Sequence, residues 1–290
     1  MGLVTSARFP RLIGGGGDAT TWAAISGTTG SPSDTTVDGH RVLRFEGAGS
    51  VTFGGAGRVE YEVIGGGGSG GCQVGGAGGG AGRRKRGVLE VAPGTYTVEV
   101  GAGGAGASLN NRGNDGSPSR ILSGATPLVE AIGGGGGGAT QFTNNGLSGR
   151  DGGSGGGGPG KNPAGSGGIN PGLALPSEVM GEGFDGGQGL NQDDGARRVG
   201  AGGGGAGGRG QDATDAVSGF SPGLPGGPGA AGEWPGAAGT NARGGDGCPA
   251  QFFGDQSAST SPGYGSGGGG RRIAPSAPGA GGVVVIWVRA

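Results

Sequence analysis

Aromatic side chains are scarce in this chain, and so are the groups that usually carry chemistry. Phe, Trp and Tyr make up 5% of 290 residues, and apolar residues of all kinds only 31%. A conventional core for that length cannot be filled, so any core is small and local. His40 is the single histidine, which excludes a His-rich metal site built from one chain. Two cysteines, Cys72 and Cys248, are too few for a metal-binding or disulfide-rich framework. Pairing across a very long loop and two lone buried thiols both stand as readings of them. Charged residues are 14%, with a formal net charge of -1, so long-range steering toward nucleic acid or an anionic membrane is not expected. No run approaches the roughly 18 apolar residues of a membrane span, and residues 1–10 lack an apolar stretch of secretory length. Helical apolar spacing is missing too. Only residues 20–26 and 176–180 have room for about one turn, because Gly and Pro interrupt most other stretches.

What the chain has is glycine. There are 88, far above the usual level of about 7%, gathered in runs at 14–17, 65–68, 133–138, 155–158, 202–205 and 267–270. Glycine loses the most backbone entropy on folding and brings no side chain to bury. Such a chain either stays disordered or orders itself through backbone contacts.

Strand-forming segments are few and clustered. Residues 42–45 and 50–53 are short candidates. Residues 58–64 read RVEYEVI, with Val59, Tyr61 and Val63 on one face and Glu60, Glu62 and Ile64 on the other. Residues 88–91 and 95–100 flank a turn at Pro93-Gly94, and 120–122 and 128–132 are weaker candidates. Residues 283–288, VVVIWV, are apolar on both faces, as a strand covered on both sides would be. A lone C-terminal strand cannot stand by itself, so it is expected to return to the N-terminal sheet. The region between then becomes one large excursion. Strands ending at Ile64, Val100 and Ile132 run straight into glycine, and if those strands lie side by side their glycine tails start side by side.

Ordered glycine has a natural form. The extended threefold polyproline II type conformation has no internal hydrogen bonds, and neighbouring helices can pair their backbones where no Cβ holds them apart. Gly223, Gly226, Gly229 and Gly232 show the three-residue period. A flexible linker is the competing reading, but the region carries Phe142, Phe184, Phe220, Trp234, Phe252, Phe253 and Tyr264. Collagen requires an unbroken Gly-X-Y period, which this region lacks. The expected fold class is mainly β and irregular. A small antiparallel β domain, residues 41–132 plus 279–290, carries a glycine-rich polyglycine II insert at 133–278, and residues 1–40 form an attachment or capping segment.

Motifs that suggest chemistry are weak here. Residues 101–106 match GxGxxG, but no helix can follow to hold a pyrophosphate. Residues 155–161 match GxxxxGK, but position 162 is Asn, so the magnesium-binding hydroxyl is missing. The basic run 83–86, RRKR, is expected at a solvated tip between Gly82 and Gly87. His40 reads as a surface or turn residue. Carboxylates such as Asp212, Asp215 and Asp246 are scattered, and their distances do not follow from sequence, which leaves a paired-carboxylate site neither shown nor excluded. No enzyme activity, cofactor or metal is expected.

Four stretches carry a resemblance: VAPGTYTVEVGAGGAG at 91–106, GNDGSPS at 113–119, VEAIGGGGGG at 129–138 and GAGGVVVIWV at 279–288. Residues 42–290 resemble the glycine-rich domain of tailed-bacteriophage tail fibres and related virion appendages. The resemblance implies a virion structural protein whose polyglycine II bundle presents host-recognition loops to a bacterial surface protein or glycan. Its partners would be other tail or fibre proteins, with homo-oligomerisation left open and no nucleic acid or membrane span. Trp234, Phe252, Phe253, Tyr264 and Glu233 are the receptor-binding candidates, and packing on the bundle flank is the other reading of the aromatics. Phe9, Leu12, Ile13 and Trp22 are the attachment candidates. A purely structural or capping virion protein, and an extracellular ice- or polysaccharide-binding protein, are the alternatives.

Overall fold

Val283–Arg289 is buried along nearly its whole length, and it organises the molecule. A computed structural model of the chain describes residues 21–73, 75–140, 146–160, 172–174, 183–189, 199–213, 225–237, 240–248, 263–271 and 275–290. Among these residues fourteen strands occur in chain order: β1 (Ile25–Thr29), β2 (Ser33–Val37), β3 (His40–Phe45), β4 (Gly49–Phe53), β5 (Gly57–Ile64), β6 (Arg84–Val91), β7 (Gly94–Glu99), β8 (Ser119–Ser123), β9 (Thr126–Ala131), β10 (Ala139–Thr140), β11 (Gly146–Leu147), β12 (Ala230–Ala231), β13 (Thr240–Asn241) and β14 (Val283–Arg289). The fold is mainly β. Among the described residues there is no helix, and so none long and apolar enough to cross a membrane.

One sheet has the order β2-β3-β14-β5-β6 and the other β1-β4-β7-β8-β9. All neighbours within them are antiparallel. Strand β14 lies between β3 and β5, with Val284 opposite both Phe45 and Val63. The expected return of the C-terminal strand is therefore what the chain does. The two sheets face each other across one core, in which Leu43, Phe45, Val59, Val63, Val284 and Ile286 meet Val51, Phe53, Val98, Ile121 and Val129.

Alternation along β14 explains its composition. Val284, Ile286 and Val288 enter the core between the sheets. Val283, Val285 and Trp287 join a second buried cluster with Val42, Ile64, Ala81, Ala206, Trp234 and Ala242. That second layer covers the outer face of the first sheet with glycine-rich chain, which is why a strand with apolar side chains on both faces is stable here.

Two expectations need correction. Residues 20–26 do not make a helical turn where described: β1 begins at Ile25. The basic run is not a tip. Arg83 is buried, and Arg84 opens strand β6 and pairs against Ile64. Strands β1 and β2 are also absent from the expectation, although Asp38-Gly39 marks the hairpin from β2 to β3. Both residues have positive φ, 49° and 73°, as the tightest right-twisting hairpin turn requires.

Beyond the sandwich the chain builds a core out of backbone. Gly65, Gly68 and Gly71 donate to the carbonyls of Arg83, Gly80 and Ala77 at 2.9, 2.9 and 2.8 Å. Gly66, Ser69 and Cys72 donate to Ser117, Asn114 and Asn111, and Gly67 and Gly70 to Ala280 and Ala277. Successive residues thus address different neighbours, and every third residue returns to the same one. Segment 75–83 behaves alike: Ala77, Gly80 and Arg83 donate to Gly138, Gly135 and Ile132, while Gly78 and Ala81 donate to Ala201 and Gly204. The first of those neighbours runs antiparallel and the second parallel. Among the described residues, most of the buried backbone N–H groups are satisfied by carbonyls of neighbouring segments. Packing is close enough that a Cβ built on Gly79 would lie 2.3 Å from the Gly68 oxygen. Ala77, Ala81 and Ala201 are nevertheless buried within it, so a methyl is admitted where there is room and glycine is required only at the contacts.

Candidate binding surface

The bundle has two ends. At the sandwich end, the turn between β12 and β13 folds onto the first sheet. Trp234, 7% exposed, joins Trp287, Val285 and Ile64. Its neighbour Glu233 donates its N–H to Glu62 Oε2 at 2.9 Å, and its carboxylate pairs with Arg84 at 3.2 Å and with Arg86. Glu62 is fully buried and accepts from Arg84 Nε at 2.8 Å. Burial pushes the Glu62 carboxyl above its ordinary value, and the Arg84 and then Arg86 guanidiniums pull it back. Tyr264 is half-buried beside this cluster. Its hydroxyl donates to Glu46, and Arg44 lies over its ring at 6.0 Å. Burial first, then the Glu46 hydrogen bond, raise its phenol.

The structure therefore gathers three residues expected to meet a receptor, Glu233, Trp234 and Tyr264, in the seam between sandwich and bundle. Burial makes Trp234 a packing residue. Trp234→Ala is expected to cost about 3 kcal/mol, visible as a lower urea midpoint. Trp22, expected as an attachment anchor, bridges Arg58 on β5. The Arg58 guanidinium lies 5.2 Å above its ring and His40 meets it edge-on at 6.1 Å. Phe9, Leu12, Ile13, Phe252 and Phe253 lie outside the described residues.

The other end is fixed by hydrogen bonds among residues far along each glycine segment from the strands. Gly160 donates to Gly75, Cys248 to Gly76, Asn110 to Cys72 and Gln73 to Arg271. Cys72 and Cys248 are both buried here, with no disulfide between them. Residues 106–114 form the rim. Ser108, Asn111, Arg112, Asn114, Leu147 and Arg150, with the backbone of Gly106 and Ala107, enclose an open cleft of about 560 Å³.

The carboxylates that look scattered in sequence have a common task. Asp115 accepts from Gly136 N, Asp151 from Leu173 N, Asp185 from Ala174 N, Asp212 from Gln188 N and Asp246 from Gly226 N, all at 2.6–2.9 Å. Each supplies the acceptor for a backbone N–H of a neighbouring segment, so these five N–H groups are satisfied by side chains instead of carbonyls. In two cases an arginine three residues earlier holds the carboxylate, Arg209 for Asp212 and Arg243 for Asp246, at 3.2 and 3.1 Å. The three-residue recurrence places such residues on one edge, and the pattern Arg-Gly-x-Asp is the sequence signal that could have revealed them. Asp246→Ala should therefore cost about 2 kcal/mol, because it orphans a buried N–H. Asp246→Asn, which keeps the acceptor, should lose less of the same urea midpoint.

The nucleotide-like motifs are absorbed by the same lattice. Gly101 N donates to Ser119 Oγ and Gly104 N to Gly67 O. Gly155, Gly156, Gly157, Gly158 and Gly160 all donate to backbone carbonyls, so the N–H groups of that run are already engaged within the lattice.

Residues 44–290 match the family model described as a glycine-rich domain. The chain belongs to the glycine-rich domain family. No curated protein matches it. The matched part of this glycine-rich domain begins inside β3 and holds every glycine segment of the bundle. Strands β1 and β2 precede it and extend the two sheets at their edges.

Proposed function

We propose that this glycine-rich domain is a bacteriophage virion structural protein of a tail tip, fibre or appendage. Its sandwich joins other virion proteins, and the far end of its bundle binds the host surface. The glycine segments act as polyglycine II helices, a reading supported by the three-residue recurrence of their hydrogen bonds. The observation that carries the proposal is the closed backbone lattice. Among the described residues most of its interior N–H groups donate to carbonyls of neighbouring segments, which leaves mainly side chains at its edges and ends to discriminate one surface from another. Such a core tolerates changes at its rim without a change inside, which suits a module that must track a varying host. The resemblance of residues 42–290 to appendage domains supplies the biological setting.

Deletion of the gene from the source particle tests this. Assembled particles that fail to adsorb, rescued by added purified protein, are the expected result. Particles that adsorb normally would leave a purely structural or capping role.

A further inference from the structure

Three Arg-Gly-x-Asp units occur at the bundle edge, at 112–115, 209–212 and 243–246. In two, the arginine pairs with its own aspartate. In the third the aspartate is taken elsewhere. Asp115 accepts from Gly136 N at 2.9 Å and pairs with Arg150 at 3.3 Å. Arg112 is exposed and carries no ion pair among the described residues. It lines the 560 Å³ cleft together with Arg150. Two guanidiniums thus line the cleft, and of the two only Arg150 has a carboxylate partner among the described residues.

The rest of the lining selects the ligand class. Asn111 donates its amide N–H groups to Ser108 Oγ and Leu109 O, and Asn114 donates to Ala105 O. Each amide is held by its nitrogen, while its oxygen has no hydrogen-bond partner among the described residues and is left able to accept from a hydroxyl. Leu147 adds a small apolar patch. Hydroxyl-reading acceptors, an apolar contact and an uncompensated Arg describe a site for a sugar that bears an acid. The volume falls in the range of small-ligand sites, about 300–1,000 Å³, and the open shape accepts a segment of a longer chain.

We propose that this cleft binds an acidic saccharide, with Arg112 taking the carboxylate or phosphate as a charge-assisted pair. Asn111 and Asn114 fix the register of neighbouring hydroxyls. The proposal deepens the host-binding reading by naming the chemistry of the surface recognised, and it rests on that reading only for its biological setting.

Calorimetry on the full chain with tri-galacturonate, a glucuronate-containing trisaccharide and a short glycerol-phosphate oligomer, with maltotriose as the neutral control, tests it. Saturable binding of at least one acidic probe is expected, with maltotriose silent. Arg112→Ala should weaken that binding at least tenfold and leave the melting curve in place, since the side chain is exposed. Asn114→Ala should weaken it less. Binding that is unchanged in Arg112→Ala, equal binding of maltotriose, or no binding of any acidic probe would overturn the site. A competition assay on host cells separates this from the wider reading. If the wild-type chain and Arg112→Ala block adsorption equally, host binding stands and the cleft is not its site. If acidic saccharides bind but the chain never blocks adsorption, the site stands and the host-binding reading falls.

Discussion

Gly135→Val is expected to unfold the glycine bundle and lower stability by at least about 3 kcal/mol, a severe case of overpacking. A Cβ on Gly135 would sit 2.0 Å from the Arg150 carbonyl oxygen and 2.7 Å from its carbon. Both are backbone atoms, so no side chain can swing away. Relief requires the two segments to part. That breaks the bonds from Gly135 N to Ser154 O and from Arg150 N to Gly136 O, at 3.0 and 2.8 Å, and unpairs backbone groups on both segments. Gly47→Ala is the control, because a Cβ there meets nothing within 4 Å. Its effect should stay within about 0.5 kcal/mol. Equal melting of Gly135→Val and wild type would mean that the glycine segments are not packed as described.

Arg84→Met should be nearly as damaging, for an electrostatic reason. Glu62 is fully buried, and Arg84 supplies its main charge partner at 2.8 Å. Removing one partner of a buried pair leaves an uncompensated charge and costs about 3–5 kcal/mol. Adding Glu62→Gln to Arg84→Met should recover most of the loss, since no charge then remains and the Gln oxygen still accepts from Glu233 N. The sign of the pH dependence provides a second check. Burial raises the Glu62 carboxyl above 4.5 in the folded protein, so the folded state holds its proton more tightly than the unfolded one. Stability from this group is present below about 4.5 and is lost as pH rises through the folded value. Without Arg84 the carboxyl rises further. The deficit of Arg84→Met should therefore be large at neutral pH and shrink on acidification, and the double variant should lack that dependence. A deficit independent of pH would mean that the loss comes from packing alone.

Both variants strike the joint between a side-chain core and a backbone core, and the two were not equally legible. Period-two alternation exposed β5 and β7, short apolar runs suggested β3, β4, β6, β8 and β9, and β14 was legible because its run is apolar on both faces, as a doubly covered strand must be. Strands β1 and β2 escaped, since Ser33–Val37 is mostly exposed and carries little apolar pattern; only its Asp38-Gly39 turn announced it. Composition alone determined that any large ordered region had to be built from backbone, for want of side chains to fill a core. Tertiary structure decided which segments pair and in which direction, because glycine has no side chain to encode a partner. It also decided the fate of particular groups. Trp234 read in sequence as either a receptor anchor or a packing residue of the bundle flank, and the fold buries it against the outer face of β14 and β5, where apolar surface needed cover. Glu233 beside it stays exposed and pairs with Arg84 and Arg86. Asp115, Asp212 and Asp246 looked scattered until the bundle brought each beside a backbone N–H of a neighbouring segment. Arg112 differs from its counterparts in that its aspartate, Asp115, pairs with Arg150, which is distant in sequence.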